Sequence, residues 1–196
     1  TPLYSSAASD VYKRQTNDRH LFFQTFTGDF STSRTFSTYA KKNSLRYLVL
    51  SITAVNDSLS CYSAIFDLQT GTITATKNNG TATINASIQS AGNGWYKCII
   101  SGSLGTGLLS YFPLIATSNR ATFTGDLINN NIPVYVGSGQ SLYIWGAQLE
   151  AGSYATSYIP TTSATVTRNE DVISKTGLTG IASLSLIHIS EPTRPR

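Results

Sequence analysis

Methionine is missing from all 196 residues, the first position included. A chain with no initiator reads as an internal piece of a longer protein. Cysteine is nearly absent too, and two cysteines supply neither a disulfide framework nor a metal-ligand spacing. Strand alternation turns Cys98 inward with Tyr96 and Ile100 and sets Cys61 on the face opposite Phe66 and Leu68, so two free thiols are expected. No apolar run approaches the ~18 residues of a membrane span, so no membrane insertion is expected. Charge is scarce, at 12% of residues. The formal charge is +4, but only Lys41-Lys42 and Lys13-Arg14 are adjacent cations. With no basic stripe, nucleic acid is not an expected partner.

The ends differ from the body. Ser5–Gln15, SSAASDVYKRQ, and Ser185–Arg196, SLIHISEPTRPR, resemble strings produced when sequencing-adapter DNA is translated at the ends of assembled reads. Segments of this kind stand outside fold reasoning. Setting aside 1–15 and 183–196 removes four cations (Lys13, Arg14, Arg194, Arg196) and two acids (Asp10, Glu191), which lowers the charge to +2. The expected division is a domain at 16–160, an exit strap and linker at 161–182, and foreign ends on either side.

What the body has in abundance is Ser and Thr, over a quarter of the chain, with 15 Gly and 11 Tyr. Period-2 runs alternate with turn signals from residue 18 onward. In RYLVLSI, Leu48, Leu50 and Ile52 share one face, with Tyr47, Val49 and Ser51 on the other. In CYSAIFDL, Tyr62, Ala64, Phe66 and Leu68 go together. Gly71, Asn78-Asn79-Gly80 and Asn93-Gly94 mark hairpin turns. Ten or so short strands at roughly 8–14-residue spacing, with no helical period, predict an all-β antiparallel sandwich or jelly roll. The expected core includes Phe66, Tyr96, Cys98, Trp145 and Leu149, with Trp145, Ala147 and Leu149 pointing one way along the closing strand SLYIWGAQLE. AGSYATSYIP then reads as an extended strap, kept out of a sheet interior by Pro160, whose Tyr154 and Tyr158 rings cover an exposed edge.

Four pieces, RTFSTYAKKNSLRYLVLSI (34–52), IFDLQTGTI (65–73), GNGWYKCIISG (92–102) and YIWGAQLEAGSYATSYIPTTSATVTRNEDVIS (143–174), together resemble the carbohydrate-binding-module-like jelly rolls of tailed-phage tail fibres and other virion structural proteins. The resemblance spans residues 18–174. It departs from the family pattern at Asn169-Glu170, where small residues are usual. It departs also ahead of residue 34, where the family places one or two further strands. It implies a sandwich lacking its first strands, located in the virion and facing the host surface. It also implies a host glycan as partner, with neighbouring modules of the same fibre and a homotrimer as further partners.

No pattern of catalytic or metal chemistry stands out, and no cofactor is expected. GSLGTG (102–107) lacks the Gly-Lys-Ser/Thr of a phosphate loop and precedes a strand. GSGQS is no nucleophile elbow. Glycoside hydrolysis needs two carboxylates about 5–10 Å apart, and Glu150 with Asp67 is the best pair, expected to be inert. A non-catalytic module is therefore expected. Sugar binding needs a ring platform flanked by hydrogen-bonding side chains on a preformed face. Alternation offers Tyr47, Trp95, Lys97 and Gln148 for that role. Rim or core packing is the alternative for Trp95, and ordinary outward placement the alternative for Tyr47 and Gln148. A second class of function is a purely structural spacer in a spike, its rings packed against neighbours.

Overall fold

The structure, a computed structural model, describes residues 9–10, 17–27, 31–54, 61–79, 83–104, 110–123, 127–128, 132–161 and 166–167. The chain divides into two compact units, Thr1–Thr165 and Val166–Arg196. Most of the linker expected at 161–182 lies outside the described residues. No described residue is helical, and no helix is long and apolar enough to cross a membrane among the described residues.

Among the described residues, eight long strands build the first unit: β1 (Arg34–Lys42), β2 (Tyr47–Ala54), β3 (Cys61–Asp67), β4 (Thr72–Asn79), β5 (Asn85–Gly92), β6 (Trp95–Gly102), β7 (Ser110–Ser118) and β8 (Leu142–Ala151). They form an antiparallel β-sandwich. The first sheet runs Ser9–Asp10, β8, β1, β6, β5, and the second Leu21–Phe23, β7, β2, β3, β4. The N-terminal segment set aside on sequence thus contributes a short strand, Ser9 and Asp10 standing opposite Ile144 and Tyr143.

The alternation seen in the sequence sorts the side chains. Leu48, Leu50 and Ile52 of β2 and Tyr62, Ala64 and Phe66 of β3 meet Phe36, Ala40, Cys98 and Ile100 of the first sheet, all at most 1% exposed. Tyr96 and Leu149 pack against this core while partly buried. Each large side chain taken out of water contributes about 1.5–3 kcal/mol. The second sheet is also covered on its outer face, where Val49, Ile65, Leu114 and Ala116 pack with Ile132 and Phe123 from the excursion after β7. That double cover explains why every residue of β3 is buried. Cys61 is also fully buried although it faces away from the central core. Both cysteines are free, as alternation predicts, and burial pushes the Cys98 thiol pKa far up, so it stays protonated and unreactive.

Local chemistry sets the breaks. The segment Leu21–Thr27 divides into two short strands, Leu21–Phe23 and Phe26–Thr27, which pair with β7 on either side of Pro113. Proline cannot donate to a ladder, and the Pro113 carbonyl bonds across the gap, accepting from Gln24 N at 3.4 Å. Between β5 and β6 the chain reverses through Asn93 and Gly94, both at positive φ (51° and 77°), the signature of a primed hairpin turn.

Candidate functional site

Facing away from the core, the first sheet presents four rows of side chains set by strand register. Tyr143, Lys41 and Trp95 form the first row, and Trp145, Tyr39, Lys97 and Gln89 the second. Gln148, Ser37, Ile99 and Ser87 follow, then Glu150, Thr35, Ser101 and Asn85. The upper half is aromatic and the lower half mostly amide and hydroxyl. Tyr39, Ala91, Trp95 and Trp145 line a shallow recess of about 240 Å³.

Trp145 corrects the sequence expectation. It belongs to neither core cluster but to this outer face, only partly buried, with its ring 5.1 Å from Tyr39 and 4.8 Å from Tyr158. The cause is a β-bulge between Trp145 and Gln148, with Gly146 at φ 64°. One extra residue reverses the phase. Ile144 faces the core before the bulge and Ala147 and Leu149 after it. Thr38 Oγ1 donates to the Trp145 carbonyl at 3.1 Å and so supports the distortion. A glycine inside a strand pattern is itself a bulge signal, and position 146 supplied it. A Cβ at this position would sit 3.2 Å from Tyr39 Cδ2 and 3.5 Å from Tyr158 Cδ2. Gly146→Ala should therefore cost about 1–2 kcal/mol, through left-handed backbone strain and displaced rings. Urea unfolding reads the loss, and an altered near-UV circular dichroism band reads the tryptophan's new surroundings.

The strap after β8 lies on this outer face rather than along an edge. Gly152 N donates to Ser33 O (3.0 Å), and Thr35 Oγ1 donates to Gly152 O (2.9 Å). Further on, side chains of the face read the strap's backbone. Lys97 Nζ donates to Thr156 O at 2.6 Å. Gln148 Nε2 donates to Ser157 O (3.3 Å), and its Oε1 accepts from Ile159 N (2.8 Å). The Glu150 carboxylate accepts from Thr156 N at 3.1 and 3.2 Å and from the Thr156 hydroxyl. Tyr158 closes over Trp145, whereas Tyr154 stands 74% exposed.

No protein-family model and no curated protein matches this chain. Of the four residues proposed on sequence, Trp95, Lys97 and Gln148 share the face, with Lys97 and Gln148 engaged by the strap. Tyr47 does not join them. It packs at the outer face of the second sheet, beneath the Arg46 guanidinium at 5.2 Å. Alternation gives a residue's face but not its sheet, and Tyr47 shares only the outward face with the others. Tyr39, which the sequence reading passed over, takes the central position between Trp145 and Lys97.

The two carboxylates weighed for hydrolysis stand on different sheets, Glu150 on β8 and Asp67 on β3. Asp67 is buried and receives Arg46 Nε (2.8 Å) and Nη2 (2.5 Å), the Thr70 hydroxyl (2.7 Å) and Gln69 N (2.9 Å). The Arg46 hydrogen bonds, foremost, hold its carboxyl well below the usual carboxylate range against the opposing pull of burial. The same pairing raises the Arg46 pKa. Asp67 is thus a structural anion that closes the β3–β4 turn.

Proposed function

We propose that this chain is a non-catalytic, jelly-roll, glycan-binding module of a tail fibre or similar virion structural protein, and that its outer aromatic face is the binding surface. The observation that supports this most is the shallow recess lined by Trp95, Trp145 and Tyr39 on the outer face of the sheet. The C–H face of a pyranose stacks on such rings, while nearby amides and ammonium groups hold hydroxyls. The separation of Glu150 from Asp67 speaks for binding without hydrolysis. Trp95→Ala should weaken binding of any responsive glycan about tenfold, with the fold intact, because one stacking ring is removed. Titration calorimetry against a glycan-array hit is the test, and unchanged affinity would remove Trp95 from the site.

The engagement of Lys97 and Gln148 by the strap favours a second reading, a structural spacer whose face serves only to hold its own exit segment. A silent glycan array, together with concentration-dependent trimerisation, would support that reading.

A further inference from the structure

Resting on the glycan-binding reading, we infer that the recess selects saccharides bearing a carboxylate, through Lys41. This lysine lies in the same row as Trp95 and Tyr143, paired in register with both, on the strand that also carries Tyr39. Its stem lies along the Gly94 turn, with Cε 3.5 Å from the point a Cβ there would occupy. Among the described residues its ammonium has no ion pair or hydrogen bond. Lys97, one row below, adds a second positive charge, with its Nζ 5.8 Å from the Tyr39 ring centroid. On β8, β1, β6 and β5 the upper three rows hold no acidic residue, and Asp10, opposite Tyr143, stands on the edge strand beyond β8. Glu150 stands in the last row with its carboxylate turned to Thr156, and Asp67 is on the other sheet, neutralised by Arg46. A ring seated between the two tryptophans therefore meets the Lys41 ammonium on the strand that lies between them, while Asp10 lies on the edge strand beyond. This arrangement favours a uronate or sialate over a neutral hexose.

The experiment is an array of uronate and sialate glycans, each printed beside its methyl-esterified counterpart, probed with the full chain and with Lys41→Gln. The acid form should bind roughly fivefold more tightly than the ester, the scale of one partly exposed ion pair. The preference should vanish in Lys41→Gln, and near 1 M salt, where screening acts within about 3 Å. The circular dichroism spectrum and urea midpoint of Lys41→Gln should match those of the unmodified chain, which shows that the variant folds. Equal binding of acid and ester by the unmodified chain, or an acid preference that survives Lys41→Gln, overturns the inference and leaves glycan binding standing. Silence towards both forms and towards neutral glycans overturns both.

Discussion

Gly102→Ala should destabilise the protein by about 3–4 kcal/mol, beyond the usual range for an overpacked position. The site is where β6 ends against the residues that lead into β5. A Cβ on Gly102 would lie 1.9 Å from the Thr83 carbonyl oxygen and 2.9 Å from its carbon, both backbone atoms that cannot swing away. The two segments are also tied together. Thr83 N donates to Ser103 O at 2.9 Å, and Ser103 N to Thr83 Oγ1 at 3.3 Å. On the core side, the Tyr62 hydroxyl lies within hydrogen-bond reach of the Gly102 and Arg34 carbonyls, at 3.4 and 3.3 Å. A methyl group must either break this clamp or shift the end of a central strand. Gly139→Ala is the control, since its φ of 73° brings backbone strain but nothing lies within 4 Å of the added carbon, so about 1 kcal/mol is expected. Urea midpoints compare the two. Equal losses would contradict the close approach at Gly102.

Asp67→Ala should cost about 3 kcal/mol at neutral pH. It removes a buried acceptor of two guanidinium bonds and leaves the Gln69 amide and Thr70 hydroxyl without their partner. The pH dependence gives a second readout. The folded-state pKa of Asp67 lies below its ordinary 3.8. Its stabilisation is therefore complete above about pH 4 and is lost as pH falls through the depressed value. The unmodified protein should lose stability steeply on acidification below about pH 4, and Asp67→Ala should start lower but fall less steeply. Parallel acid limbs in urea titrations would show that Asp67 is not the group responsible.

Much of the sandwich was legible in the sequence because a half-buried strand writes its pattern with period two. Leu48, Leu50 and Ile52, then Tyr62, Ala64 and Phe66, fall on the core side as alternation requires. Cys98 and Phe66 are fully buried core residues, and Tyr96 and Leu149 pack at its margin. Alternation fails where the backbone inserts a residue. Trp145 was assigned inward by extending the phase of Ala147 and Leu149 back through Gly146, and the bulge there turns the indole out. Sheet membership is likewise invisible to a local pattern, which is why Tyr47 was grouped with residues of the opposite sheet. Lys97 and Gln148 were correctly turned outward. Their bonds to the strap join positions 59 and 9 residues apart through backbone groups, which no sequence period encodes. The Arg46–Asp67 pair is of the same kind, set by the antiparallel return of β3 beside β2.

The proposed binding face depends above all on Trp145 lying outside the core under the strap. Nuclear Overhauser contacts from its indole protons, recorded in a Trp95→Phe sample where it is the sole tryptophan, test this directly. Contacts to the rings of Tyr39 and Tyr158 are predicted. Contacts instead to Phe36, Leu50 and Ile100 would put the indole in the core and contradict the account.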